Sequence, residues 1–151
     1  MPEATLEVRY LTAEQVRTLH DEQIDLYTPA EQKHVADWGS LESACSRPGV
    51  TRYYDQESDI FDLAASLGFG LAKNHAFANA NKRTAAISTH VFLLINGYQL
   101  EISQWQLVDI FEKLANDLVD QESLAQILDD YSRELSDEER ADLGEQLRLI
   151  F

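Results

Sequence analysis

The sequence predicts an all-α fold in one domain covering residues 1–151. Two observations carry that expectation. Ile60 to Lys73 (IFDLAASLGFGLAK) and Arg83 to Ile95 (RTAAISTHVFLLI) place apolar residues at nearly every helical spacing, the mark of helices buried on most sides. Capping boxes, Thr12 with Gln15 and Ser136 with Glu139, open two more helices. A chain of 151 residues is long enough to bury one sizeable core around them.

In chain order, Met1 to Glu7 reads as a lead-in and Val8 to Leu11 as a short edge strand. The helix capped by Thr12 carries Val16, Leu19, Ile24 and Tyr27 on its apolar stripe, with Gln23 as the exception, and runs to Pro29. His20, Asp21 and Glu22 are consecutive, so on a helix they diverge and make no metal cluster. Lys33 to Gly39 reads as a loop, and Leu41 to Ser46 as a short helix stopped by Pro48. Gly49 to Tyr54 is rich in β-branched and aromatic residues, as in a strand or hairpin arm. Ser58 caps the first apolar helix, in which Gly68 and Gly70 predict close backbone packing. The second apolar helix ends at Asn96-Gly97, where glycine suits a left-handed stop. Tyr98 to Ile102 alternates as a short extended segment. Ser103 caps a helix over Trp105 to Asn116, with Trp105, Leu107, Val108, Phe111 and Leu114 on its apolar face. Another helix covers Leu118 to Tyr131, and the last runs from Ser136 toward Phe151.

Twelve basic residues face 27 acidic ones, a net charge of −15, which argues against nucleic acid or an anionic membrane as partner. From Glu101 onward the chain has 14 acidic and 4 basic residues. That acidic tail is either a solvated face or a docking surface for a partner or second subunit. No 18-residue apolar run and no leader-like segment occurs, so a soluble cytoplasmic protein is expected. Cys45 is the lone cysteine and reads as a small core residue.

Between the two apolar helices lies His75-Ala76-Phe77-Ala78-Asn79-Ala80-Asn81-Lys82-Arg83-Thr84-Ala85. If Asn81 opens the second helix, the backbone N–H groups of Lys82, Arg83 and Thr84 are free donors at the positive end of the helix dipole, a setting that attracts phosphate. Arg83 adds a forked donor and Lys82 a point charge. His75, on the opposite lip, titrates near neutrality and is the candidate general base. The residues alone thus predict a phosphate-binding loop facing a base.

The pattern H-x-F-x-x-A-N-K-R-T-A resembles the signature of the Doc (death-on-curing) branch of the Fic/Doc superfamily, whose Fic form reads H-P-F-x-[D/E]-G-N-[G/K]-R. Further likeness lies in Leu19 to Glu22, Leu41 to Ala44 with Arg47-Pro48, Phe69 to Asn74, and Asn96 to Tyr98, so the resemblance covers about residues 8–130, with 131–151 as a C-terminal helical extension. It implies a helical bundle with a small β flap, and a toxin that uses ATP and Mg²⁺ to modify a protein hydroxyl. His75 would take the hydroxyl proton, Asn81, Lys82, Arg83 and Thr84 would hold the phosphates, and Phe77 would anchor the loop. Doc-like proteins, with Lys where Fic proteins have the motif's second Gly, are thought to present the γ-phosphate. Lys82 therefore favours a kinase over an AMP transferase. The implied target is a Thr of a translation elongation factor, and the implied flap contact is Arg52, Tyr53 and Tyr54, which otherwise read as an aromatic pair closing the core. The family's metal-binding Asp or Glu is here Asn79, a neutral oxygen ligand expected to hold Mg²⁺ weakly; a silent binding module is the alternative it raises. The self-inhibitory pattern [S/T]-x-x-x-E-[G/N] is missing from the last helix, where Arg140 follows Ser136 by four, and Thr18 to Gln23 ends in the wrong residue. Control by a separate antitoxin of the Phd type is expected instead.

Overall fold

The computed structural model describes residues 7–150. Apart from Glu7, the expected lead-in lies outside them. The elements are α1 (Ala13–Tyr27), α2 (Trp38–Tyr54), α3 (Ile60–Lys73), α4 (Asn81–Ile95), β1 (Tyr98–Leu100), α5 (Gln104–Ala115), α6 (Gln121–Asp130), β2 (Ser132–Glu134) and α7 (Asp137–Ile150). The fold is all-α with one small antiparallel sheet, as the sequence predicts.

Helix α3 is the axis, packed against α2, α4, α5 and α6. Its Leu63, Leu67 and Leu71 are at most 1% exposed, and each such side chain contributes roughly 1.5–3 kcal/mol by leaving water. The two glycines allow the close approach: a Cβ on Gly68 would lie 2.6 Å from Phe111 Cζ and from Thr89 Oγ1, and one on Gly70 2.5 Å from Arg47 Cδ. Cys45 is buried, and desolvation first, then the nearby Glu42, pushes its thiol up to about 12. It is an inert core residue.

Several local expectations are overturned. Helix α2 does not stop at Pro48 but continues to Tyr54, so Arg52, Tyr53 and Tyr54 are helical rather than a hairpin arm. The reason is packing: Leu41, Ala44, Cys45 and Pro48 fall at i, i+3, i+4 and i+7 and bury one stripe, which outweighs both the proline and the β-branched content that follows it. The sheet instead joins Tyr98–Leu100 to Ser132–Glu134, at the C-terminal end of α4, about 20 Å along that helix from its start at 1.5 Å per residue. Val8 to Leu11 forms no strand; Asn96 supplies the partners a strand would have given, accepting from Arg9 N–H at 2.9 Å and donating to its carbonyl at 2.9 Å. The cap of α3 is Asp59, boxed with Asp62, while Ser58 is buried and donates to the Asp55 carbonyl. The sixth helix begins at Gln121 behind Asp120. Gly97, at φ +93°, ends α4 as expected.

Helix α7 opens with the predicted box, Glu139 N–H donating to Ser136 Oγ at 3.1 Å and Ser136 N–H returning to the Glu139 carboxylate at 3.1 Å. Asp137, Glu138, Asp142 and Glu145 on it are exposed. Among the described residues no helix is long and apolar enough to cross a membrane.

Candidate active site

The loop between α3 and α4 is built against its own preferences and then anchored. His75 and Ala80 both have left-handed backbones, φ +50° and +60°, each costing about 1–2 kcal/mol for a residue with a Cβ. Asn81 closes the turn with both ends of its amide: its Oδ1 accepts from Phe77 N–H at 3.1 Å and its Nδ2 donates to the Phe77 carbonyl at 2.9 Å. Phe77, 3% exposed, plugs the core as predicted. The segment before α2 lies along the loop: Ala36 and Asp37 N–H donate to the Ala76 carbonyl, and Ala78 N–H donates to the His34 carbonyl. Val35 and Phe77 form an isolated antiparallel bridge there.

Helix α4 starts at Asn81 behind Ala80, and Ala80 offers no side-chain cap. The first bond of the helix runs from Thr84 N–H to the Ala80 carbonyl at 2.9 Å. The amides ahead of it, on Asn81, Lys82 and Arg83, are the helix's open donors. This corrects the expectation for Thr84, whose hydroxyl also donates to the Ala80 carbonyl at 2.7 Å and which is fully buried. Thr84 locks the turn and has no group left for a ligand.

His75, Ala80, Asn81, Lys82 and Arg83 line one open cavity of 380 Å³, closed on its other side by Ala72 of α3 and by Trp105 and Val108 of α5. Two cationic side chains, a histidine and a helix N-terminus thus converge on one space sized for a small molecule. Trp105, on the apolar face the sequence assigns to α5, lies at the edge of that face, 55% exposed, and meets Tyr27 edge-on at 5.0 Å. Acidic residues already face both cations. Arg83 Nη2 lies 3.1 Å from Glu31 Oε2 while its Nη1 donates to Thr28 Oγ1, and Lys82 Nζ is 4.0 Å from Glu112. Lys73 turns away to Asp117 at 2.6 Å, and Asn74 donates to the Ser40 carbonyl, so neither adds to the phosphate loop.

Asn79 is not in the cavity lining, but its Oδ1 is buried and has no hydrogen-bond partner among the described residues. A buried carbonyl-type oxygen left unpaired is disfavoured unless something binds it, and a hard cation is such a partner. The residue therefore fits a metal ligand of low charge. Arg52, Tyr53 and Tyr54 lie outside the cavity lining. Arg52 donates to the carbonyls of Gln56 and Ser58 and so ties the end of α2 to the segment leading into α3, whereas Tyr53 and Tyr54 are 75% and 81% exposed and pack edge-on with each other rather than closing the core.

Sequence reasoning missed Glu31, Thr28, Trp105, Val108 and the part played by His20. His20 is fully buried, and Val16, Leu19, His20, Gln23 and Ile24 form one stripe on α1. Two polar residues on a core-facing stripe were the available signal. Among the described residues there is no group of three or more His, Cys, Asp or Glu arranged to hold a metal.

Residues 10–93 match a family model described as the Fic/DOC family. Over 67 residues the chain is 46% identical to the Toxin Doc of Mycolicibacterium smegmatis, covering 44% of this chain and 52% of that protein, so the match spans about half of the relative's length. Over 93 residues it is 32% identical to the Protein kinase doc of Escherichia phage P1, covering 62% of this chain and 72% of that one.

Proposed function

Because the chain belongs to the Fic/DOC family, we propose that it is a Doc-type toxin that transfers the γ-phosphate of ATP to a hydroxyl of a target protein. The expected acceptor is a threonine of a translation elongation factor, with arrest of translation as the result. The observation that carries this reading is the convergence of His75, Lys82, Arg83 and the open end of α4 on one cavity.

In this mechanism His75 accepts the proton as the target oxygen bonds to the γ-phosphorus, and the bond from that phosphorus to the leaving ADP oxygen breaks. Arg83, Lys82 and the amides of Asn81 to Arg83 hold phosphate oxygens and stabilise the charge that shifts between them. Asn81 and Thr84 act through the backbone, fixing the turn that aims those amides. Trp105 and Val108 supply an apolar wall against which the rest of the nucleotide packs. Asn79 would hold Mg²⁺, which when bound would screen the phosphate charges. The names of the two relatives support a toxin and a kinase, and Lys82 at the second-glycine position supports γ- over α-phosphate transfer. The same reading includes a Phd-type antitoxin as partner and the cytoplasm as the place of action, with Tyr53 and Tyr54 on the target-facing side.

The test incubates the protein with elongation factor and ATP carrying label on the α or the γ phosphate, with Mg²⁺ present. Label on the target from the γ position, lost in His75→Ala, is the expected result. Label from the α position makes the protein an AMP transferase, and no label from either would remove the enzymatic reading.

A further inference from the structure

We infer that His20 is a positioning residue for the nucleotide loop: it fixes the Asn79–Ala80 peptide so that the first amides of α4 face the cavity. The inference rests on the nucleotide-site reading above. His20 comes from α1, far from the motif in sequence, and is 0% exposed. Its ring makes three contacts. It stacks face to face on Phe77, centroids 3.9 Å apart and planes within 6°. Nδ1 lies 3.0 Å from Asp21 Oδ1, which holds the ring in orientation. Nε2 donates to the Asn79 carbonyl at 3.1 Å.

The last contact separates His20 from an ordinary core residue. The stack alone is open to any flat apolar side chain, and a buried imidazole is disfavoured unless its nitrogens find partners. The partner found here is a strategic one. Other carbonyls of the loop are already held: Ala76 by the amides of Ala36 and Asp37, Phe77 by Asn81, and Ala80 by Thr84. His20 supplies the anchor for the Asn79 carbonyl, at the peptide just before the left-handed Ala80. Without it, that peptide is free to rotate and let Ala80 relax to a right-handed backbone, which an alanine prefers. Such a rotation would move the Asn79 side chain and re-aim the Asn81 amide while leaving the core unchanged.

The test compares the unaltered chain with His20→Phe, which keeps the stack and removes the anchor, and with His20→Gln, which keeps a donor and loses the stack. Each is measured in the unaltered and the Asn79→Asp background for ATP affinity with Mg²⁺ by calorimetry, for thermal unfolding, and for the amide resonances of Asn79 to Arg83. The expected result is a folded His20→Phe that binds ATP about tenfold more weakly, with shifts concentrated at those amides, and partial recovery in His20→Gln. In the unaltered chain, a scalar coupling across the hydrogen bond from His20 Nε2 to the Asn79 carbonyl carbon is expected, a readout that needs no variant to fold. Unchanged affinity in His20→Phe, or no such coupling, overturns the inference while leaving the nucleotide site standing. Absence of ATP binding in the unaltered chain and in Asn79→Asp overturns both.

Discussion

On the proposed nucleotide reading, Glu31, paired with Arg83, competes with phosphate for that guanidinium, and Glu31→Gln should therefore tighten ATP binding. Arg83 places Nη2 3.1 Å from Glu31 Oε2, and the pair is flanked by Thr28, whose hydroxyl accepts from Arg83 Nη1 and donates to the same carboxylate at 2.8 Å. The Arg83 side chain is 15% exposed and that of Glu31 39%. A hydrogen bond to a charged group contributes about 1.5–3 kcal/mol when sheltered, and an exposed ion pair about 0.2–1. The half-solvated carboxylate places this pair near the boundary, at about 1 kcal/mol. Arg83 must give up roughly that much to turn toward a nucleotide, so the substitution should raise affinity about fivefold. Glutamine keeps the shape and the bond from Thr28 while removing the charge. Calorimetric titration with ATP and Mg²⁺ at low and high salt reads the effect directly; screening should shrink the difference. In an Arg83→Gln background Glu31→Gln should change nothing. Equal or weaker binding by Glu31→Gln alone would refute the competition and leave Glu31 as a brace that aims Arg83.

The other predictions concern the metal, the core and the C-terminal helix. Asn79→Asp gives the buried oxygen a negative charge, and Mg²⁺ affinity and transfer rate should both rise; metal titration followed by nucleotide binding checks it, and an unchanged metal dependence counts against position 79 as a ligand. Gly68→Ala drives a methyl to 2.6 Å from Phe111 and Thr89 and should cost about 1–3 kcal/mol, a fall in Tm of roughly 2–4 °C per kcal/mol for a chain of this size; an unaltered Tm would mean α3 and α5 separate freely. Glu139 is held down to about 2 from its ordinary 4.5, first by the hydrogen bond from Arg133 and then by Ser136 N–H. Its folded-state value is depressed, so the stability it adds is present above pH 4.5 and is lost as the pH falls toward 2. The Tm difference between the unaltered chain and Glu139→Gln should therefore be seen at pH 7 and close near pH 2, and a constant difference would exclude the linkage.

The parts legible in the sequence were those with strong local codes. The two apolar helices, the boxes at Thr12 and Ser136, the stop at Gly97 and the motif loop all appear where the residues place them. The failures are tertiary. Pro48 reads as a stop until its place on a stripe packed against α3 is known, and β2 pairs with a strand more than thirty residues earlier, which no local pattern encodes. At the site, His75, Lys82 and Arg83 were legible because the motif keeps them within nine residues. Glu31, Trp105 and His20 were not, because α1, the turn that follows it and α5 bring them in from distant parts of the sequence. Thr84 was misjudged by one step of helix geometry: an amide free on paper is spent once Ala80, not Asn81, is the cap.

The strained turn also sets an order of events in folding. Neither His75 nor Ala80 would hold its left-handed backbone in an isolated peptide, and the contacts that hold them come from distant parts of the chain: His20 lies 59 residues from Asn79, and the Val35 bridge also reaches across α2 and α3. Such contacts form after the loops between them close, which makes them late. The apolar helices α3 and α4 can dock on their own stripes well before that. The adjoining pair α3 and α4 therefore forms before the turn between them is fixed, and a local opening at Ala80 would undo the aim of the first α4 amides while nearly all of the hydrophobic interior stays in place.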